Sequence, residues 1–165
     1  MLMHKYIQPE LFHRFMVLCK GTKHQLEKLN EEVEELRDAL VSGDIDKIKE
    51  EVADVEVCLP YLYLCFKFTK KQRVIEYKGG AEIMSYIEAW LNFYKFYKNH
   101  PTEYLTINIL DIATSLLCES LFEVYNKYNL DMYEITEIRQ AKKQRTIRRL
   151  FNKDGNYDGI CKSIE

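Results

Sequence analysis

Apolar side chains recur along most of this chain at steps of three and four residues, the spacing that lines one face of an α-helix. Helix-breaking residues are sparse: prolines and glycines fall at Pro9, Gly21, Gly43, Pro60, Gly79/Gly80, Pro101 and Gly155/Gly159. The uninterrupted stretches between them predict an all-α fold, a bundle of about five to six helices. A first helix runs from Pro9 to about Cys19 with Leu11, Phe15 and Leu18 on one face. A second covers about Thr22 to Ser42, striped by Leu26, Leu29, Val33, Leu36 and Leu40. Gly43 ends it, and Asp44 is placed to cap a third, which carries Ile45, Ile48, Val52, Val55, Leu59 and Leu62 until Pro60 kinks it or ends its regular part. Taken alone, Val57 to Phe66 also reads as a strand, but the stripe running into it favours helix. After a polar connector, Lys67 to Gly80, a fourth helix spans about Ala81 to Asn99 with Ile83, Ile87, Trp90, Tyr94 and Tyr97 in register. Pro101 breaks it. A fifth covers about Glu103 to Tyr128 and a basic last helix about Asp131 to Phe151. Residues 1–151 then form one domain and residues 152–165 a mobile tail.

Composition narrows the function classes. The chain has 165 residues, 47% hydrophobic and 30% charged, an ordinary globular balance that can bury a core without disulfides or structural metal. The 24 basic and 26 acidic side chains leave a net charge of −2, too weak a field for general attraction to nucleic acid or anionic lipid. The longest uncharged apolar run, Val57 to Phe66, is about half of what a bilayer span requires, and the N-terminal residues do not read as a secretory segment. The expectation is a cytoplasmic protein with neither membrane nor nucleic acid as partner. Cys19, Cys58, Cys65, Cys118 and Cys161 are widely spaced without a CxxC pair and read as reduced, mostly core thiols.

Charge becomes informative locally. Glu27 to Glu56 holds twelve acidic residues against Lys28, Arg37, Lys47 and Lys49. At about 100° per residue, Glu32 and Glu35 lie about 80° and 140° to one side of the apolar stripe of the second helix. Glu51 and Asp54 lie about 70° and 130° from the stripe of the third, in the same rotational sense. In an antiparallel pair, flanks of the same sense share one edge. Gly43 stands midway between Glu35 and Glu51, and midway between Glu32 and Asp54, so the heights match as well. Four carboxylates crowded in this way repel, and the crowding is relieved by a divalent cation or by proton uptake. A solvated acidic helix face is the plain alternative, weakened by the double match in angle and height. All-oxygen ligands suit magnesium, with manganese as a substitute, rather than zinc. Glu34 and Glu50 point elsewhere on the wheel and read as surface charges; Glu31 sits farther round than Glu32.

Glu31-Glu32-Val33-Glu34-Glu35 followed by Glu51-Val52-Ala53-Asp54 resembles the EExxE and ExxD pair of the MazG-like all-α nucleoside triphosphate pyrophosphohydrolases. The likeness covers about Leu26 to Leu62. It implies Mg2+-dependent hydrolysis of a nucleoside triphosphate to the monophosphate and pyrophosphate. It further implies that Glu32, Glu35, Glu51 and Asp54 ligate the metal, with Glu31 either a further ligand or the group that orients or deprotonates the attacking water; on chemical grounds Glu35 is the other carboxylate that can accept that proton. A homo-oligomer, dimer or tetramer, is also implied. The two long helices between Ala81 and Tyr128 depart from the minimal family pattern. They are open to reading as a degenerate repeat with Asn108-Ile109-Leu110-Asp111 in the place of Glu51 to Asp54, or as an insertion in which Asp111 meets solvent or polar contacts.

The last helix carries Arg139, Lys142, Lys143, Arg145, Arg148, Arg149 and Lys153 with no acid among them. A triphosphate needs such cations, so Lys142 or Lys143 with Arg145 and Arg149 are the expected phosphate ligands. A solvated basic helix end, or one touching nucleic acid, is the alternative. For the base, the first helix offers His13 and Arg14 by analogy with the family, although a lone His13 also reads as a surface residue. The aromatic residues of the fourth helix, Tyr86 to Tyr97, read as core or subunit packing before base stacking. Within enzymes the competing activities are dUTP and phosphoribosyl-ATP pyrophosphohydrolysis. Outside them the competitor is a non-catalytic helical regulator that binds nucleotide.

Overall fold

A computed structural model describes residues 9–65, 82–100 and 107–150, the side chains of Tyr63, Cys65 and residues 107–111 excepted. The described residues are all-helical and pack as a bundle: α1 (Leu11–Lys20), α2 (Thr22–Ser42), α3 (Ile45–Cys58), the single turn α4 (Tyr61–Cys65), α5 (Ile83–Asn99), α6 (Ile107–Tyr128) and α7 (Met132–Leu150). The Lys67 to Gly80 connector, the segment from Asn152 on and the side chain of Asp111 lie outside the described residues.

Local chemistry sets the boundaries. Gly43 adopts the left-handed conformation (φ 72°) that a side chain disfavours, and its N–H donates to the Ala39 carbonyl at 3.0 Å, closing α2. Asp44 Oδ1 then accepts the backbone N–H groups of Asp46 and Lys47 at 3.1 and 3.2 Å, opening α3. Two residues thus turn the chain through an antiparallel hairpin. Pro60, which has no N–H to donate, falls between α3 and α4, so the stripe continues after a break in the helix. Between α6 and α7 Asn129 is left-handed (φ 48°), and Asp131 Oδ1 accepts Tyr133 N–H at 2.8 Å as α7 begins.

Leu29, Val33 and Leu36 of α2 meet Ile48, Val52 and Val55 of α3 in the core, all fully buried. α2 also packs on α1, α4 and α5, α5 pairs with α6, and α7 lies along α3. The aromatic α5 contributes to the core: Tyr86, Ile87, Trp90 and Tyr94 are buried. So are Cys19, Cys58 and Cys118, all as free thiols. No described helix is long and apolar enough to cross a membrane.

The first helix departs from its expected orientation. Leu11 and Leu18 are 83% and 79% exposed, while His13, Met16 and Cys19 are buried. The helix is rolled about 140° from the leucine face. Buried polar bonds favour this roll: Gln25 Nε2 of α2 donates to the Met16 carbonyl at 3.3 Å, and the ring of His13 is satisfied on both sides. His13 is therefore not a surface residue.

Candidate metal centre

The tight turn at Gly43 and Asp44 fixes the register of α2 against α3, and with it the heights of their acidic residues. Glu32, Glu35 and Glu51 each bring one carboxylate oxygen to within 4.8 Å of the others. Glu32 is buried, Glu51 half-buried and Glu35 exposed, so the group opens to solvent on one side. Glu51 Oε2 is buried without a hydrogen-bond partner among the described residues. Burial and the neighbouring charges of Glu35, Asp54 and Glu32 push the Glu51 carboxyl up to about 7. Burial also raises Glu32, against the opposing hydrogen bond from Lys28.

Asp54 lies close enough to raise both neighbours electrostatically, but its own carboxylate is bonded to Lys142 of α7. Lys142 Nζ also lies 3.2 Å from Glu50 Oε2. Burial alone would lower the Lys142 pKa; the Asp54 and Glu50 carboxylates outweigh it and hold the ammonium above the ordinary lysine range. Glu50 is thus an exposed charge with a specific partner. Glu31 is exposed and pairs with Lys28 at 3.4 Å, apart from the three-oxygen group.

Of the basic candidates, the structure brings Lys142 to the acidic edge and not Lys143. Consecutive helical residues diverge by about 100°, and Lys143 Nζ instead meets Glu10 Oε2 at 2.8 Å, 6.0 Å from the centre of the Phe12 ring. Arg145 and Arg149 are exposed and have no ion pair among the described residues. The two base-binding candidates also separate. Arg14 is exposed. His13 Nδ1 accepts Glu10 N–H at 3.0 Å, Nε2 sits 2.9 Å from the Val57 carbonyl, and Tyr61 packs edge-on against the ring. Burial drives His13 down to about 4, so the ring is neutral with both nitrogens engaged by the protein itself.

Two features escaped the sequence reading. Lys28 Nζ sits 2.6 Å from Glu32 Oε1, a pair that the one-turn spacing could have indicated. Glu56, buried on α3, accepts the Tyr125 hydroxyl at 2.7 Å through Oε1 and meets Arg139 at 3.2 Å through Oε2. Its sequence signal is an acid one turn after the core residue Val52; its partners on α6 and α7 are set by tertiary packing alone.

On the opposite flank of α2, a groove of about 330 Å³ lies against α5, with Arg37 and Glu88 3.7 Å apart on its lining. Glu34 there accepts from Asn30 Nδ2 at 3.2 Å. The acids lining that groove, Glu34 and Glu88, each have a partner of their own, whereas those on the α3 flank converge. No family model, curated protein or solved structure matches this chain.

Proposed function

We propose that the chain is a Mg2+-dependent nucleoside triphosphate pyrophosphohydrolase that cleaves between the α and β phosphates. The observation that carries this reading is the convergence of Glu32, Glu35 and Glu51 from two helices, with one buried Glu51 oxygen unpartnered among the described residues. The donor set fits the metal: all ligand atoms are carboxylate oxygens, the choice of a hard divalent ion, and an orphaned buried oxygen is the kind of group such an ion satisfies. Glu32, Glu35 and Glu51 would hold it, with Asp54 joining from the next turn of α3. When bound, Mg2+ neutralises phosphate oxygens and acidifies water.

The chain's own groups supply the rest. Glu35, the exposed member, takes the proton from the attacking water as the bridging P–O bond breaks and pyrophosphate leaves. Glu31 is the less suited of the two, since it is paired with Lys28 outside the cluster. Lys142 stands beside the acidic edge and supplies positive charge to the leaving phosphates, with Arg145 and Arg149 farther along the same face of α7. The reading carries with it a cytoplasmic homo-oligomer, a dimer or a tetramer.

Incubation with the ordinary and several modified nucleoside triphosphates in Mg2+, with products identified by mass, tests the reading. It expects a nucleoside monophosphate and pyrophosphate from at least one substrate. Binding of nucleotide without release of pyrophosphate from any of them would instead favour the regulator.

A further inference from the structure

Two carboxylates of the acidic edge, Glu32 within the three-oxygen group and Asp54 beside it, are already matched by ammonium groups of this same chain. Lys28, one turn before Glu32 on α2, sits 2.6 Å from Glu32 Oε1 and 3.4 Å from Glu31 Oε2. Lys142 reaches in from α7, bonded to Asp54 and 3.2 Å from Glu50. The two cations arrive from different helices, one serving the α2 side of the edge and one the α3 side. Glu32, Glu35, Glu51 and Asp54 would carry four negative charges when ionised. The two lysines together supply the two positive charges that one divalent ion would bring, and so offset two of them.

We propose that Lys28 and Lys142 are internal stand-ins for the metal: they neutralise Glu32 and Asp54 while no ion is bound, and the divalent cation displaces them from those oxygens. Lys142, once released, turns to the phosphate chain of the nucleotide. The proposal rests on the metal-dependent reading of this edge and adds to it an exchange of partners.

The exchange follows from the donor atoms. A carboxylate oxygen engaged by an ammonium must surrender that contact to serve as a metal ligand in the same direction. Lysine suits the task, because its charge sits on a flexible four-carbon stem that can swing without moving the helix. Lys142 is the more consequential of the two. Its side chain is 12% exposed against 43% for Lys28, so less water is at hand to solvate it after displacement. A phosphate oxygen would repay that loss. Metal and nucleotide therefore help each other bind, and by linkage the help is mutual.

Mn2+ binding, followed by the electron paramagnetic resonance signal of the free ion, tests this without reference to turnover. Lys28→Met and Lys142→Met keep the apolar stem and remove the competing charge. Without nucleotide, each variant is expected to bind Mn2+ at least about fivefold more tightly than the natural chain, the lower end of typical coupling. With a non-hydrolysable α,β-methylene triphosphate present, Lys142→Met should lose that advantage. If the natural chain binds Mn2+ and neither variant binds it more tightly, the exchange is wrong and the metal reading stands. If neither the natural chain nor the variants bind Mn2+, both fall. Reductive methylation of the natural chain, read by peptide mass, covers the case in which a variant fails to fold. Labelling of Lys142 should rise when Mn2+ saturates the site, and unchanged or reduced labelling overturns the proposal.

Discussion

Glu51 and Glu56 stand little more than one turn apart on α3, yet they represent opposite solutions for a carboxylate in a helical bundle. Glu56 is the more deeply buried, at 9% exposure, and both of its oxygens have partners in Tyr125 and Arg139. Glu51 is less buried, yet one oxygen has no partner among the described residues and its strongest neighbours are other acids. A buried charge with its bonds made is architecture, here tying α3 to α6 and α7. A charge left crowded and unsatisfied retains repulsion that a ligand can relieve, which is the usual mark of a functional position.

The comparison is broken most severely by removing acids from the cluster. Glu35→Ala is expected to reduce turnover at least about a thousandfold, about 4 kcal/mol in the barrier, while its metal-free melting temperature holds or rises as repulsion is relieved. Asp54→Ala should be equally inactive but gains no stability, because its loss takes a partner from Lys142. A product assay beside a thermal melt checks both.

The architectural carboxylate should behave the other way. Glu56→Gln leaves Arg139 without its ionic partner, and a loss of about 3 kcal/mol is expected, the low end for a broken buried pair because Arg139 retains some contact with water. That corresponds to a fall of about 6 to 12 °C in Tm for a chain of this size. A drop no larger than that of a surface substitution would show that the pair is not structural.

Protonation sharpens the contrast. The folded-state pKa of Glu51 is raised to about 7, so its contribution to stability is fully present below the unfolded pKa of about 4.5 and is lost as pH rises through 7. Metal-free protein and its Glu51→Gln variant should therefore match in stability near pH 4.5, diverge as pH rises towards 7 and hold a constant gap above it, with the natural chain the weaker by on the order of 1 kcal/mol after allowance for solvent screening. Denaturant titrations across that window measure the gap. A pH-independent difference would contradict the crowding.

The hairpin was legible because its determinants are local. Gly43 and Asp44 mark the turn, and counting residues outward from the turn sets the heights of Glu32, Glu35, Glu51 and Asp54. Pro60 announced the break after α3 for the same reason. What escaped depends on how helices roll against one another. Periodicity selected the Leu11 and Leu18 face of α1, whereas packing chose the face whose histidine finds a carbonyl, a preference that hydropathy cannot express. The choice between Lys142 and Lys143 turns on the rotation of α7 against α3, and the partners of Glu56 lie on helices distant in sequence. The smallest predicted effect probes this roll: Leu18→Gln should change stability by less than about 0.5 kcal/mol, while Met16→Ala, on the buried face, should cost about 2 kcal/mol or more. Equal losses would put the leucine face back in the core.

The central claim is that the α2–α3 edge holds a divalent cation through Glu32, Glu35 and Glu51. Calorimetric titration of the metal-free protein with Mn2+ near pH 7, run in buffers of differing ionisation enthalpy, tests it most directly because it counts the protons released. Saturable binding should release protons as Glu51 gives up its own, and binding should vanish when Glu32, Glu35 and Glu51 are together replaced by glutamine. Equal binding by the natural chain and that triple variant, or no binding by either, would contradict the account.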